Sequence, residues 1–122
     1  AMPIHPTAVV DPRAEIDATA ELGPYVVVDG PVTVGAGTRV LAHAVLTGHT
    51  RIGRDNVVHY GAVLGDEPQD TGYRGAETYL EIGDRNVFRE QVYVHRGAQP
   101  GSATVIGNDT YLMGQAHVAH NC

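Results

Sequence analysis

The chain has 122 residues, with no lysine or tryptophan and only one cysteine, Cys122. A single cysteine excludes an internal disulfide. The eight arginines are scattered from Arg13 to Arg96 and the net charge is -6, which argues against a nucleic-acid or polybasic membrane surface. No apolar run approaches the ~20 residues of a membrane helix or the core of a signal peptide. These absences predict a cytoplasmic protein with no nucleic-acid partner and no membrane insertion. The length predicts one domain, residues 1–122.

Branched aliphatic residues recur at every sixth position. Eleven follow one another without a miss from Ile4 to Leu64, and the same frame resumes at Ile82 and again at Ile106. Sixteen of the twenty frame positions carry Ile, Val or Leu, whereas chance would place about five there. A strict period of six does not match the 3.6-residue period of an α-helix. The pattern therefore predicts short strands and turns, wound into a solenoid with a continuous apolar interior.

A second slot, two residues before each aliphatic, is small or compact, as at Ala8, Ala44 and Thr110. Within the regular hexads none of the 22 charged residues occupies either slot, so both slots are predicted to face inward. Glycine often follows the aliphatic, and we expect positive φ there because the chain turns a corner. These glycines are Gly23, Gly35, Gly53, Gly65, Gly83 and Gly107.

An aliphatic followed by glycine, with a small residue at the fifth place, resembles the hexapeptide-repeat family of left-handed parallel β-helices. In that family three hexads form one triangular coil of eighteen residues. The resemblance therefore implies an all-β solenoid with three faces, and Ile4 opens face one. The left hand comes from the resemblance alone, because the period does not reveal it.

Two interruptions break the repeat, near residues 70–81 and 98–104. The first follows the eleventh hexad and the second follows the fourteenth, so both leave from the end of face two, one coil apart. A single loop at a solenoid corner is often simply tolerated. Two on one edge favour a site at that edge.

The seven histidines divide into two groups. Four of them are assigned to faces one and two of the lower coils, where a surface histidine usually has no function: His5, His43, His49 and His59. His95, His117 and His120 fall beside the corner of the interruptions, where they can converge with Asp70. A neutral imidazole there suits general-base chemistry on a hydroxyl. Two alternatives stay open: a row of histidines that only solvates the edge, and a zinc site, which no cysteine or carboxylate cluster supports.

Three stretches carry a closer resemblance, to the UDP-N-acetylglucosamine O-acyltransferases of lipid A biosynthesis. They are GHTRIGRDNVVHYGAVLGDEPQDTGYRG, EIGDRNVFREQVYVHRG and IGNDTYLMGQAHVAHNC. The resemblance implies a homotrimer that transfers a β-hydroxyacyl group from acyl carrier protein to the sugar 3-hydroxyl of UDP-GlcNAc, with no metal and no dissociable cofactor. It also covers essentially the whole chain.

The resemblance assigns roles to five residues. His120, the second histidine of Ala-His-Val-Ala-His, matches the catalytic base, and His117 matches a substrate-contacting histidine. Gln69 and Asp70 match a sugar-binding pair, and His95 matches another pocket histidine. In this mechanism His120 accepts the hydroxyl proton during direct attack on the thioester, so Cys122 is not expected to be a nucleophile.

The chain departs from the family pattern in three ways. Thr71 and Gly72 stand where some members have Leu-Lys, and Asn121 stands where many have Asp. The family also continues for several more coils and a helical domain. We therefore expect a truncated N-terminal β-helix portion with little or no activity of its own.

Two other functions remain as alternatives. The first is a non-catalytic trimerising hexapeptide-repeat module. The second is a zinc-dependent protein like the γ-class carbonic anhydrases, although the spacing of His117 and His120 does not match the wider histidine pair of that class.

Overall fold

The protein is described by a computed structural model. It covers residues 4–66, 79–95, 103–112 and 117–118, with the backbone alone at 66, 103, 117 and 118. None of these residues is helical.

Within the described residues sixteen short strands form three parallel sheets, one for each predicted face. The aliphatic residue of each hexad lies in its strand, where a branched side chain packs well on a pleated surface. Face two contains β1 (Val9–Val10), β4 (Val27–Asp29), β7 (Val45–Thr47), β10 (Val63–Asp66), β13 (Tyr93–His95) and β16 (His117–Val118). Face three contains β2 (Glu15–Ile16), β5 (Thr33–Val34), β8 (His49–Ile52), β11 (Tyr79–Ile82) and β14 (Ala103–Ile106). Face one contains β3 (Glu21–Leu22), β6 (Arg39–Val40), β9 (Val57–Val58), β12 (Val87–Phe88) and β15 (Tyr111–Leu112), and Ile4 bridges to Leu22.

The register of the strands confirms the assignment of hexads to faces. In the regular coils each residue pairs with the one eighteen positions later, as Val10 does with Val28. Across the interruptions the aliphatic frame stays aligned, because Leu64 pairs with Val94 and Val94 with Val118. Most of both predicted excursions lies at 67–78 and 96–102, outside the described residues. At their ends, residues 79–81 belong to β11 and 103–104 belong to β14.

The interior is a single column built from the two slots that the sequence predicted to face inward. Val26, Val28, Ala44 and Leu46 are all at most 1% exposed, and Phe88 fills a slot at 0%. The buried polar residues other than His95 belong to the small slot: Thr38, Thr50, Asn56, Asn86 and Thr104. Burial of an uncharged polar group is tolerated when it is hydrogen-bonded.

Asparagines form a ladder inside the corner that leads from face three to face one. Asn56 Nδ2 donates to the Gly83 carbonyl at 2.9 Å, and its Oδ1 accepts from the backbone N–H of Asn86 at 2.8 Å. Asn86 repeats both bonds one coil higher, to the Gly107 carbonyl at 2.7 Å and from the Thr110 N–H at 2.7 Å. Each amide therefore ties its own coil to the next one.

The predicted positive φ of the glycines after the aliphatics is wrong at five of the six positions and holds only at Gly65, with φ 87°. At three of the others, glycine is needed because the backbone of the next coil lies close to it. A Cβ on Gly35 would lie 2.5 Å from the Gly53 carbonyl oxygen, one on Gly53 2.7 Å from that of Gly83, and one on Gly83 2.8 Å from that of Gly107. Glycine here lets neighbouring coils stack backbone on backbone.

Positive φ occurs instead at the third residue after the aliphatic, on the corners that follow faces one and three. Six of these residues are not glycine: Tyr25, His43, Asp55, Arg85, Gln91 and Asp109, with φ between 56° and 64°. The corner that follows face two is built differently. Among the described residues of that corner, those with positive φ are glycines, namely Gly30, Gly48 and Gly65.

Candidate functional site

Two neighbouring strands of face two end at the edge where the sequence predicted a site. β10 ends at Asp66 and β13 ends at His95, and the two strands pair in parallel. The next described residues, Tyr79 and Ala103, begin strands of face three. Both interrupted segments therefore leave the same corner from adjacent strands.

His95 is 5% exposed and lies at the end of β13. On its other side β13 pairs with β16, which places His117 beside Tyr93 and Val118 beside Val94. The register thus brings the backbones of His95 and His117 onto neighbouring strands, as the sequence predicted. The other predicted site residues, His120, Gln69 and Asp70, lie outside the described residues, so their placement stays a prediction.

A β-bulge stands immediately before the first interrupted segment. Leu64 pairs with Val94, but the next pair is Asp66 with His95, so Gly65 is an extra residue in β10. Gly65 is buried and has φ 87°. A Cβ at Gly65 would overlap the Thr47 carbonyl oxygen and Thr50 Oγ1, which are themselves joined by a 2.7 Å hydrogen bond. Only glycine meets both requirements without strain.

Sequence reasoning missed this bulge, although one signal for it was available. On face two the residue after the aliphatic is polar in the neighbouring hexads, at Asp11, Asp29, Thr47 and His95. Gly65 is the one glycine in this column up to His95. A glycine at a position that is polar in the other coils indicates a bulge or a close approach of another backbone.

The lower histidines lie away from this edge or have local partners. His5 Nδ1 lies 2.8 Å from Thr7 Oγ1, and the His43 ring stacks on Tyr25 at 5.2 Å. His59 Nδ1 lies 3.4 Å from Glu90 Oε1. His49 was assigned to face one or two, which is wrong: it opens β8 on face three, because the corner at Gly48 is tight, and its ring meets Tyr79 edge to face.

The outward positions of the three faces differ in chemistry. On face two they form an apolar column that leads to the position of His117: Val9, Val27, Val45, Val63 and Tyr93. On face three they are mainly polar or charged, with Glu15, Thr33, Arg51 and Glu81 below Val105. Face one changes along its length, from Glu21 and Arg39 to Val57, Val87 and Tyr111.

Charged groups in the lower coils and on the far corner form local pairs. The hydrogen bond from the Arg13 side chain, followed by that from the Arg13 N–H, holds the pKa of Asp11 well below its usual range. Arg85 makes two bonds to Asp109, of 2.9 and 3.2 Å, and their side-chain hydrogen bond lowers the pKa of Asp109. Within the described ranges no group of three or more His, Cys, Asp or Glu could hold a metal ion. No helix in those ranges is long and apolar enough to cross a membrane.

No family model matches the chain. It is 48% identical over 120 residues, 98% of its length, to the acyl-[acyl-carrier-protein]–UDP-N-acetylglucosamine O-acyltransferase of a Psychrobacter species, and it covers 46% of that protein. The chain therefore spans about half the length of the relatives that it matches.

Solved structures agree with the sequence comparison. The UDP-N-acetylglucosamine O-acyltransferase of Moraxella catarrhalis superposes with a TM-score of 0.96 at 43% identity, over 99% of this chain and 48% of that one. A structure of the corresponding protein from Acinetobacter baumannii gives a TM-score of 0.94 at 44% identity, over 98% of this chain and 47% of that one. These likenesses confirm the predicted left-handed parallel β-helix.

Proposed function

We propose that the chain, which is similar in sequence and fold to the UDP-N-acetylglucosamine O-acyltransferases, is the β-helix part of an enzyme acting in lipid A biosynthesis. The proposed reaction moves a β-hydroxyacyl group from the thioester of acyl carrier protein to the 3-hydroxyl of UDP-GlcNAc. The enzyme acts in the cytoplasm as a homotrimer. It uses the activated thioester as donor and needs no metal or dissociable cofactor.

In the proposed mechanism His120 is the general base. One imidazole nitrogen of His120 takes the proton as the sugar oxygen attacks the thioester carbonyl carbon. The tetrahedral intermediate then collapses, the C–S bond breaks, and the departing thiolate recovers the proton from the imidazolium. A backbone N–H stabilises the oxyanion. Gln69, Asp70, His95 and His117 bind the substrate, and Cys122 takes no part.

The observation that carries this proposal is the pairing of β13 with β16. In this register His117 pairs with Tyr93 and Val118 with Val94, and β13 in turn pairs with β10. A general base needs to lie within hydrogen-bond reach of the proton that it removes. The register supports this by bringing the strand that precedes His120 next to the strand that ends at His95.

Acyl transfer measured on the complete natural gene product tests the proposal. With β-hydroxyacyl carrier protein and UDP-GlcNAc we expect turnover, and the His120→Ala variant should lose about 100-fold or more in kcat. The control is His5→Gln, at the opposite end of the solenoid, which should stay within twofold. A wild-type protein that neither turns over nor binds UDP-GlcNAc in calorimetry would favour the non-catalytic module.

The outer faces support the homotrimer. In a closed threefold ring each copy uses two different surfaces, one against each neighbour. Face two supplies one apolar surface along five neighbouring strands, about 19 Å long at 4.8 Å per strand. The upper part of face one supplies the second, with Val57, Val87 and Tyr111. Face two of one copy is therefore proposed to pack on face one of the next, with the corner between them turned toward the threefold axis.

A charge placed on face two tests this arrangement. Val45→Glu, in the middle of the apolar column, should convert the trimer to monomers at micromolar concentration, because a buried unpaired carboxylate is costly. Val105→Glu is the matched control, since Val105 is an outward valine on face three that is 56% exposed. Sedimentation velocity measures both. A Val45→Glu protein that remains a trimer would contradict this packing.

A further inference from the structure

The bulge at Gly65 interrupts a register that the coil below it keeps. In the corresponding place one coil lower, β7 runs to Thr47 without an extra residue and pairs Asp29 with Thr47 in register. β10 departs from that pattern at Gly65, so that Asp66 rather than Gly65 stands opposite His95. The bulge therefore puts Asp66 in the position opposite His95 that Gly65 would otherwise take.

Gly65, the extra residue, lies against a hydrogen bond in the coil below. Thr50 is 2% exposed, and its Oγ1 donates to the Thr47 carbonyl at 2.7 Å. Gly65 packs against both atoms of that bond, leaving no room for a Cβ. Bulges of this kind occur next to active sites, where they re-aim the chain.

We propose that Gly65, seated on the Thr47–Thr50 hydrogen bond, is a positioning residue that sets the backbone of Asp66 against His95, one of the residues proposed to bind the substrate. The inference rests on the proposed function for its effect on sugar binding. Its effect on His95 does not depend on that function. Thr50 acts as a second positioning residue, because its hydroxyl holds the carbonyl on which Gly65 lies.

The test compares two glycine-to-alanine variants of the complete gene product. Gly65→Ala combines a strained φ with overlap at Thr47 and Thr50, so we expect at least about tenfold weaker UDP-GlcNAc binding in calorimetry. Gly61→Ala is the matched control, because Gly61 lies in the same coil with φ 72° and its Cβ would meet only Gln91 Cγ at 3.7 Å. It has the same kind of strain without the overlap, and its affinity should stay within twofold.

A second pair keeps the test decisive if Gly65→Ala does not fold. Thr50→Val removes the hydroxyl and keeps the shape, whereas Thr38→Val does the same at a different corner, where Thr38 Oγ1 donates to the Gly53 carbonyl at 2.8 Å. We expect only Thr50→Val to weaken UDP-GlcNAc binding, by about threefold to tenfold. Equal affinity in the two threonine variants, or wild-type affinity in a folded Gly65→Ala protein, would overturn the proposal.

The ring resonances of His95 separate this inference from the proposed function. Nuclear magnetic resonance of the imidazole should show a shift in Gly65→Ala and Thr50→Val and no shift in Gly61→Ala or Thr38→Val. If the wild type binds no UDP-GlcNAc but this pattern appears, the function fails and the positioning of His95 stands. Unchanged His95 resonances in all four variants would refute the positioning role.

Discussion

Removal of one amide from the asparagine ladder should destabilise the solenoid by an amount that the structure allows us to estimate. Asn86→Ala deletes the bond from Nδ2 to the Gly107 carbonyl and the bond from the Thr110 N–H to Oδ1, both of 2.7 Å. Asn86 is 1% exposed, so water does not readily replace the lost partners. Each bond contributes about 1 kcal/mol net, and the unsatisfied groups raise the total loss to about 2–4 kcal/mol.

Urea unfolding of Asn86→Ala and Asn108→Ala measures this loss against a matched control. Asn108 is exposed, and its Oδ1 accepts one bond, from the Asp84 N–H at 2.7 Å, so its loss should be about 0.5–1 kcal/mol. With a slope of about 2 kcal/mol/M, the unfolding midpoint should fall by about 1–2 M for Asn86→Ala. Amide exchange at Thr110 should also accelerate only in that variant. Equal midpoints for the two variants would refute the reasoning.

Two further predictions concern a corner and a charge pair. Gly53→Ala should cost about 1–3 kcal/mol in urea unfolding, because its Cβ would lie 2.7 Å from the Gly83 carbonyl oxygen. Gly107→Ala, with no described atom within 4 Å of its Cβ, should change little, and equal losses would contradict the close-approach explanation. Arg13→Met should raise the pKa of Asp11 toward its ordinary value in a carboxyl carbon titration, because the Arg13 side chain lowers that pKa most. A lowered folded-state pKa stabilises the fold above the ordinary carboxyl pKa of about 3.9 and loses that effect as the pH falls, so the wild type should lose more stability than Arg13→Met on acidification below about pH 4.

The period of six was sufficient to predict the inward slots, and the family resemblance added the coil of three hexads that divides the strands among three faces. An aliphatic at every sixth position has one geometric solution once three hexads close a coil, and Val10, Val28 and Leu46 stack accordingly. The neighbouring strands of His95 and His117 follow from the same count. These features depend on residue spacing, which a sequence states directly.

The glycines show what spacing does not reveal. Glycine is favoured both where φ is positive and where another backbone lies close, and the sequence does not distinguish these two causes. Gly53 is there because the Gly83 backbone lies against it, whereas Tyr25 adopts positive φ without being glycine. The distinction depends on which backbone lies above the residue, and that is a property of the assembled coils.

The bulge at Gly65 shows the same limit at the candidate site. The aliphatic frame passes from Leu64 to Ile82 with its period intact, so a one-residue shift within β10 leaves no trace in the repeat. The bulged residue lies against the hydrogen bond between Thr47 and Thr50, one coil below. Apart from Gly48, the sequence around Thr47 and Thr50 contains no glycine that would indicate a special backbone. The contact with Gly65 exists only because β10 stacks on β7. A site built on a repeat is therefore specified where one coil departs from the one beneath it, and comparison of equivalent positions in successive coils is the way to find it.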